Sequence, residues 1–215
     1  MRMRRKPRLA SRIEKCAHLL IANPETLCGR WLEEFNYNKL HIEIGCGKGN
    51  FSVNTTKNEP DTLLVGLERI SNVIVIALER TEQAKLQNVR YINKPADYLP
   101  NYFGEGEVSR IYINFCDPWP ANRHSKRRLT GPRFLELYRQ VLRRSGDLHF
   151  KTDNLPLFEF SLREFTRNGF LLVDTFRDLH GAGPVGIMTD YELKFHNMGM
   201  PICKCIIKPI PDGLE

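Results

Sequence analysis

No two of the six cysteines stand in a C-x-x-C pair, and six in 215 residues is too sparse for a secreted disulfide framework. Cys16, Cys28, Cys46, Cys116, Cys203 and Cys205 therefore read as reduced thiols, and no cluster of ligating side chains points to a metal. Long apolar runs are also missing. The longest, Val73 to Leu78, is far too short to cross a bilayer, and the basic N-terminus is not followed by the apolar segment of a signal peptide. The expectation is a cytoplasmic protein with no membrane association. Internal repeats, low-complexity tracts and long linkers are absent too, so residues 1–215 are read as one domain with one core.

Charge is present and unevenly placed. Residues 2–15 carry seven basic side chains against Glu14, and residues 121–144 carry eight against Glu136. With a total of +7, the rest of the chain nets −6. Two basic segments on an acidic body fit a polyanionic partner, although a solvated tail and a solvated helix face would look the same. Residues 1–15 are read as a basic N-terminal arm of that single domain.

From Leu40 onward, short runs of Val, Ile and Leu alternate with segments of helical period, the pattern of an α/β fold with a mostly parallel sheet and helices on both faces. Seven strands are expected, at Leu40 to Gly45, Leu63 to Glu68, Val89 to Asn93, Arg110 to Phe115, Asp147 to Thr152, Phe170 to Phe176 and Ile202 to Lys208. Phe134, Leu135, Tyr138, Val141 and Leu142 share one helical face, with Gly146 as the stop; Phe158, Leu162 and Phe165 mark the next helix, ending at Asn168-Gly169. Thr189-Asp190-Tyr191-Glu192 has the spacing of a capping box.

The first strand runs into Glu43-Ile44-Gly45-Cys46-Gly47-Lys48-Gly49. Glycines at the carboxyl end of a parallel strand let the backbone approach a nucleotide-like ligand. The NAD fingerprint would need glycine at position 50, where Asn50 stands, and the P-loop spacing also fails. Glu68 ends the second strand, where doubly wound folds place an acid on ribose hydroxyls. AdoMet becomes the leading ligand.

The fourth strand leaves through Asn114-Phe115-Cys116-Asp117-Pro118-Trp119-Pro120, stiffened by two prolines and facing the same rim. The basic run Arg123-His124-Ser125-Lys126-Arg127-Arg128 follows, placed to guide a phosphate backbone. Asp153 is either a further rim acid or the N-cap of the next helix.

Together EIGCGKGNF (43–51), GLE (66–68), NFCDPWP (114–120), RHSKRRLT (123–130), FKTDN (150–154) and TDYELKF (189–195) resemble the bacterial tRNA (guanine-N7-)-methyltransferase family over nearly the whole chain. The resemblance implies a class I, Rossmann-like methyltransferase fold with an antiparallel last strand, AdoMet as donor, and a guanosine in the variable loop of tRNA as acceptor. It further implies that Glu43 and Glu68 hold AdoMet and that Asp117 sits at the catalytic centre; from the glycine turn and the rim, Gly45, Gly47, Ala96 and Asp117 are read as further AdoMet contacts. Asn114, Arg123, Lys126, Asp153, Thr189, Asp190, Tyr191 and Glu192 are expected to hold substrate. Two positions depart from the family pattern. Pro95 stands where an Asp is common near the adenine, leaving the Ala96 backbone as the expected contact, and Ala121 stands where Lys is usual. Other readings are methyl transfer to another RNA site, a protein or a small molecule, and a tRNA-binding protein of this fold with weak or no activity. A monomer and a homodimer both fit.

Overall fold

A computed structural model describes residues 7–183 and 185–210. Its centre is a seven-stranded sheet in the order β3-β2-β1-β4-β5-β7-β6. The strands are β1 (Lys39–Ile44), β2 (Thr62–Leu67), β3 (Val89–Ile92), β4 (Val108–Asn114), β5 (Leu142–Thr152), β6 (Phe170–Phe176) and β7 (Cys203–Pro209). β1, β2, β3, β4 and β5 pair in parallel, and β7 inserts antiparallel between β5 and β6. The chain winds outward from β1 to β3 and then restarts beside β1 with β4. Where strand order reverses in this way, a crevice opens at the carboxyl ends of the strands.

The two faces of the sheet differ in chemistry because successive side chains alternate. On one face, Leu40, Ile42, Ile44, Ile111, Ile113, Leu148 and Phe150 belong to the main apolar core. It is covered by α6 (Pro132–Val141), which buries Phe134, Leu135, Tyr138 and Val141, and by α7 (Leu155–Arg167), which buries Leu157, Phe158 and Phe165. On the other, His41, Tyr112 and His149 meet edge to face, with Phe51 of α3 (Asn50–Asn58) against Tyr112. Arg110 and Asp147, adjacent in the β4 and β5 register, form a two-pronged ion pair there. Burial favours such pairing of polar groups, and His41 Nδ1 lies 3.2 Å from a Glu59 carboxylate oxygen.

Three sequence readings are refined. The supposed basic arm is in part a helix, α1 (Leu9–Lys15), which packs on α4 (Ser71–Gln83), where Arg12 reaches both Glu79 oxygens at 2.6 Å. Arg2, Arg4, Arg5 and Lys6 lie outside the described residues. Gly146 does not stop the preceding helix, which ends at Val141 and passes directly into β5. It lies within that strand where the β4 register shifts, and a Cβ there would come within 2.8 Å of the Ser109 carbonyl oxygen. The N-cap of α7 is Asn154, whose Oδ1 accepts from the Leu157 amide at 2.8 Å, which leaves Asp153 without that duty. The remaining elements are two short helices, α2 (Trp31–Phe35) and α5 (Leu99–Tyr102), and α8 (Asp190–Asn197). No helix among the described residues is long and apolar enough to cross a membrane.

Candidate active site

At the switch between β1 and β4 lies a cavity of about 640 Å³. Its walls include Gly45, Glu68, Ala96, Asn114, Asp117 and Lys126, so six of the residues singled out by sequence share one space. Gly45 has φ +75°, a left-handed conformation that favours glycine, and a Cβ there would touch no protein atom within 4 Å. The backbone is therefore open to a ligand. Glu68 is held at the tip of β2, where its Oε1 accepts from the Ile70 amide at 2.9 Å. Burial raises its pKa, while the amides of Ile70 and Gly47 pull the other way. Gly47 does not itself line the cavity.

Glu43 is not on the cavity wall. It is 2% exposed and accepts hydrogen bonds from Ser52 Oγ and, at 3.1 Å, from Asn114 Nδ2. Burial pushes its carboxyl up to about 7, against the pull of those two donors. Asn114, which lines the cavity, is thereby fixed with its Oδ1 buried and without a hydrogen-bond partner among the described residues. An acceptor left bare in this way is a place for a ligand donor. Glu43 thus joins the cavity-lining Asn114 to Ser52 of α3.

Asp117 is exposed at the end of the same strand. The loop carrying it is conformationally forced, with φ +53° at Phe115 and +41° at Trp119, both unusual for side chains of that bulk. Cys116 lines the cavity, but burial pushes its thiol up to about 12, so no thiolate is available. Trp119 packs against His124 and lies under the Arg127 guanidinium at 4.8 Å. Lys126 and Arg127 reach the cavity wall, whereas Arg123 and Asp153 do not; Arg123 instead donates to the His124 ring at 3.2 Å.

The segment at 187–192 lies outside the cavity lining but is bonded to the elements beside it. Asn50 Nδ2 donates to the Met188 carbonyl at 3.3 Å, and Arg80 bridges the Lys48 carbonyl and the Asp190 carboxylate. These bonds tie the segment to the glycine turn. Tyr191, 61% exposed, stacks on Phe115 with centroids 6.4 Å apart. Thr189 caps α8 and forms the full capping box with Glu192. Glu192 is fully buried: Lys151 Nζ donates to both its oxygens at 2.9 and 3.0 Å, and His180 Nε2 lies 3.0 Å away. Glu192, expected to hold substrate, is here buried and engaged by Lys151 and His180, which link α8 to the sheet.

Sequence reasoning missed Lys151, His180, Arg80 and the cavity residues Phe115, Asp97 and Arg133. Asp97 and Arg133 pair at 2.8 Å on the wall carrying Pro95 and Ala96, so this wall keeps a carboxylate two residues beyond Pro95. The alternation of HIE, RIYIN and DLHFKT within the strands was the available sign of a polar face. No group of three or more His, Cys, Asp or Glu among the described residues is arranged to hold a metal ion.

A family model described as "Putative methyltransferase" matches residues 37–205. A tRNA (guanine-N(7)-)-methyltransferase of Bacillus velezensis is 44% identical over 210 residues, 97% of both chains. Another, of Listeria innocua, is 45% identical over 204 residues, 94% of this chain and 95% of the relative. Among solved structures, the 16S rRNA methyltransferase KamB superposes with TM-score 0.64 at 18% identity, over 84% of this chain and 93% of that one. A 16S rRNA (adenine(1408)-N(1))-methyltransferase from Catenulisporales acidiphilia, with cosubstrate SAM, does so with TM-score 0.64 at 11% identity, over 91% and 95%. These two share the fold: a class I methyltransferase sheet. With the sequence match running nearly end to end, the chain belongs to the tRNA (guanine-N7-)-methyltransferase family.

Proposed function

We propose that the rim cavity binds AdoMet and that the chain transfers a methyl group to N7 of a guanosine in the variable loop of tRNA, with Asp117 at the reacting end. The observation that carries this reading is the convergence at the β1 and β4 switch of the open Gly45 turn, Glu68, the bare Asn114 Oδ1 and the exposed Asp117. These residues fit the donor. Glu68 stands at the strand end that suits ribose hydroxyls, and Asn114 Oδ1 is an acceptor for an ammonium or amide. When bound, AdoMet supplies an electrophilic methyl group on a positively charged sulfur.

Guanine N7 has a free lone pair, so the site needs no strong base to remove a proton first. The chain must align the base with the methyl and stabilise positive charge as it develops on the purine. Asp117 does the second as an anion at the cavity wall. Phe115 and Tyr191 offer aromatic faces beside it, and Lys126 and Arg127 give cationic anchorage for phosphates at the mouth. Calorimetric titration with AdoMet tests the donor half. A single site is expected in the unaltered chain, with affinity lower by about tenfold or more in Glu68→Ala, since one lost charged hydrogen-bonding partner is worth roughly 1.5 to 3 kcal/mol. Equal affinity would remove Glu68 from the donor site.

A further inference from the structure

The basic run 123–128 does not act as one surface. Arg128 turns inward. Its Nε donates to the carbonyls of Pro118 and Trp119, both at 3.2 Å, and its Nη2 donates to those of Trp119 and Pro120 at 3.0 and 3.4 Å. The guanidinium lies over the Phe160 ring at 4.3 Å, and Phe160 packs against the main core from α7. The Arg128 backbone is held as well, its amide donating to Ser125 and its carbonyl accepting from Gly131, both at 3.0 Å. One planar cation therefore joins three successive carbonyls of the loop to a core-anchored ring.

The loop needs such a brace. Pro118 and Pro120 have no N–H to offer a ladder, and Trp119 is held at φ +41°, a conformation that persists only where its surroundings enforce it. Asp117 begins this loop and is itself exposed, so its placement depends on what fixes the carbonyls just after it. We infer that Arg128 is a positioning residue, which holds the Asp117 to Pro120 loop so that Asp117 faces the cavity, and is not one of the phosphate contacts. This rests on the role given to Asp117 above. A lysine at 128 would keep the charge but lose the flat fork that spans neighbouring carbonyls.

The test compares Arg128→Ala, Arg128→Lys, Arg127→Ala and Asp117→Ala in methyl transfer to tRNA at saturating AdoMet and tRNA, alongside tRNA affinity as a function of salt. Both Arg128 variants should lose about tenfold to a hundredfold in kcat, the scale of a small misplacement at a reacting centre. Their tRNA affinity and its salt slope should stay within about twofold of the unaltered chain. Millimolar guanidinium should restore part of the kcat of Arg128→Ala. Arg127→Ala should show the reverse, with weaker and less salt-dependent tRNA binding. If Arg128→Ala falls below its folding limit at the assay temperature, Arg128→Lys carries the comparison. An unaltered kcat in Arg128→Lys, or a loss confined to tRNA affinity in either variant, would overturn the assignment. If Asp117→Ala is slow while the Arg128 variants are normal, the brace alone is wrong. Normal turnover in Asp117→Ala overturns the reading of the site and the brace with it.

Discussion

Asp117, just after β4, and Glu43, on neighbouring β1, stand in opposite surroundings. Asp117 is exposed on the cavity wall, where an anion can face a purine gaining positive charge. Asp117→Ala is expected to lower turnover by about a hundredfold or more while AdoMet affinity changes by less than about threefold, because the interaction is made mainly in the transition state. Single-turnover kinetics with a parallel calorimetric titration separates the two effects. Glu43 is buried behind Asn114 with a carboxyl pushed up to about 7. A raised carboxyl pKa means that the fold keeps a proton the unfolded chain has already released, so this acid's contribution to stability falls as pH rises from about 4.5 through about 7. The unaltered chain should therefore lose stability relative to Glu43→Gln across that window in denaturant melts. A difference independent of pH would contradict the assignment. Glu68 and Asp117 were legible as candidates from their positions at or just after strand ends, and Glu43 only through the family resemblance. Which of them faces the cavity was not, because burial depends on what packs over the strand.

At the scale of elements, the capping box at 189–192 was readable from four letters because its physics is local: side chains three apart meet backbone amides. The clamp formed by Lys151, Glu192 and His180 was not, since its members come from β5, α8 and the loop between β6 and α8, brought together only by the sheet. The two layers can be told apart by stability. Thr189→Ala removes a cap and should cost about 1 kcal/mol. Glu192→Ala leaves the Lys151 ammonium buried without its anion and should cost about 3 to 5 kcal/mol. Chemical denaturation of both variants measures this, and equal losses would contradict the clamp. Strand positions followed the apolar runs closely, and Phe170–Phe176 matches the expected bounds at both ends. β5 was read five residues short at its start because Arg143, Arg144 and Ser145 are exposed there and look like a loop.

Across the whole molecule, the charge division identified two basic segments without showing which cations are free. Arg12 is paired with Glu79, Arg133 with Asp97, and Arg128 with backbone carbonyls. Lys126 and Arg127, the latter over the Trp119 ring, line the cavity. Replacing both with Ala should weaken tRNA binding and lower its dependence on salt by about one unit of slope per lost phosphate contact. Filter binding across a salt series reads this, and an unchanged slope would place the phosphates elsewhere. The fold was legible as α/β because a parallel sheet writes itself as apolar runs between helical periods, and the cavity followed from the strand order. The measurement that bears most directly on the account is transfer of labelled methyl from AdoMet to unmodified tRNA transcripts, with nucleoside analysis of the product. The account predicts 7-methylguanosine in the variable loop. Tight tRNA binding with no transfer, or label on another nucleoside, would contradict it.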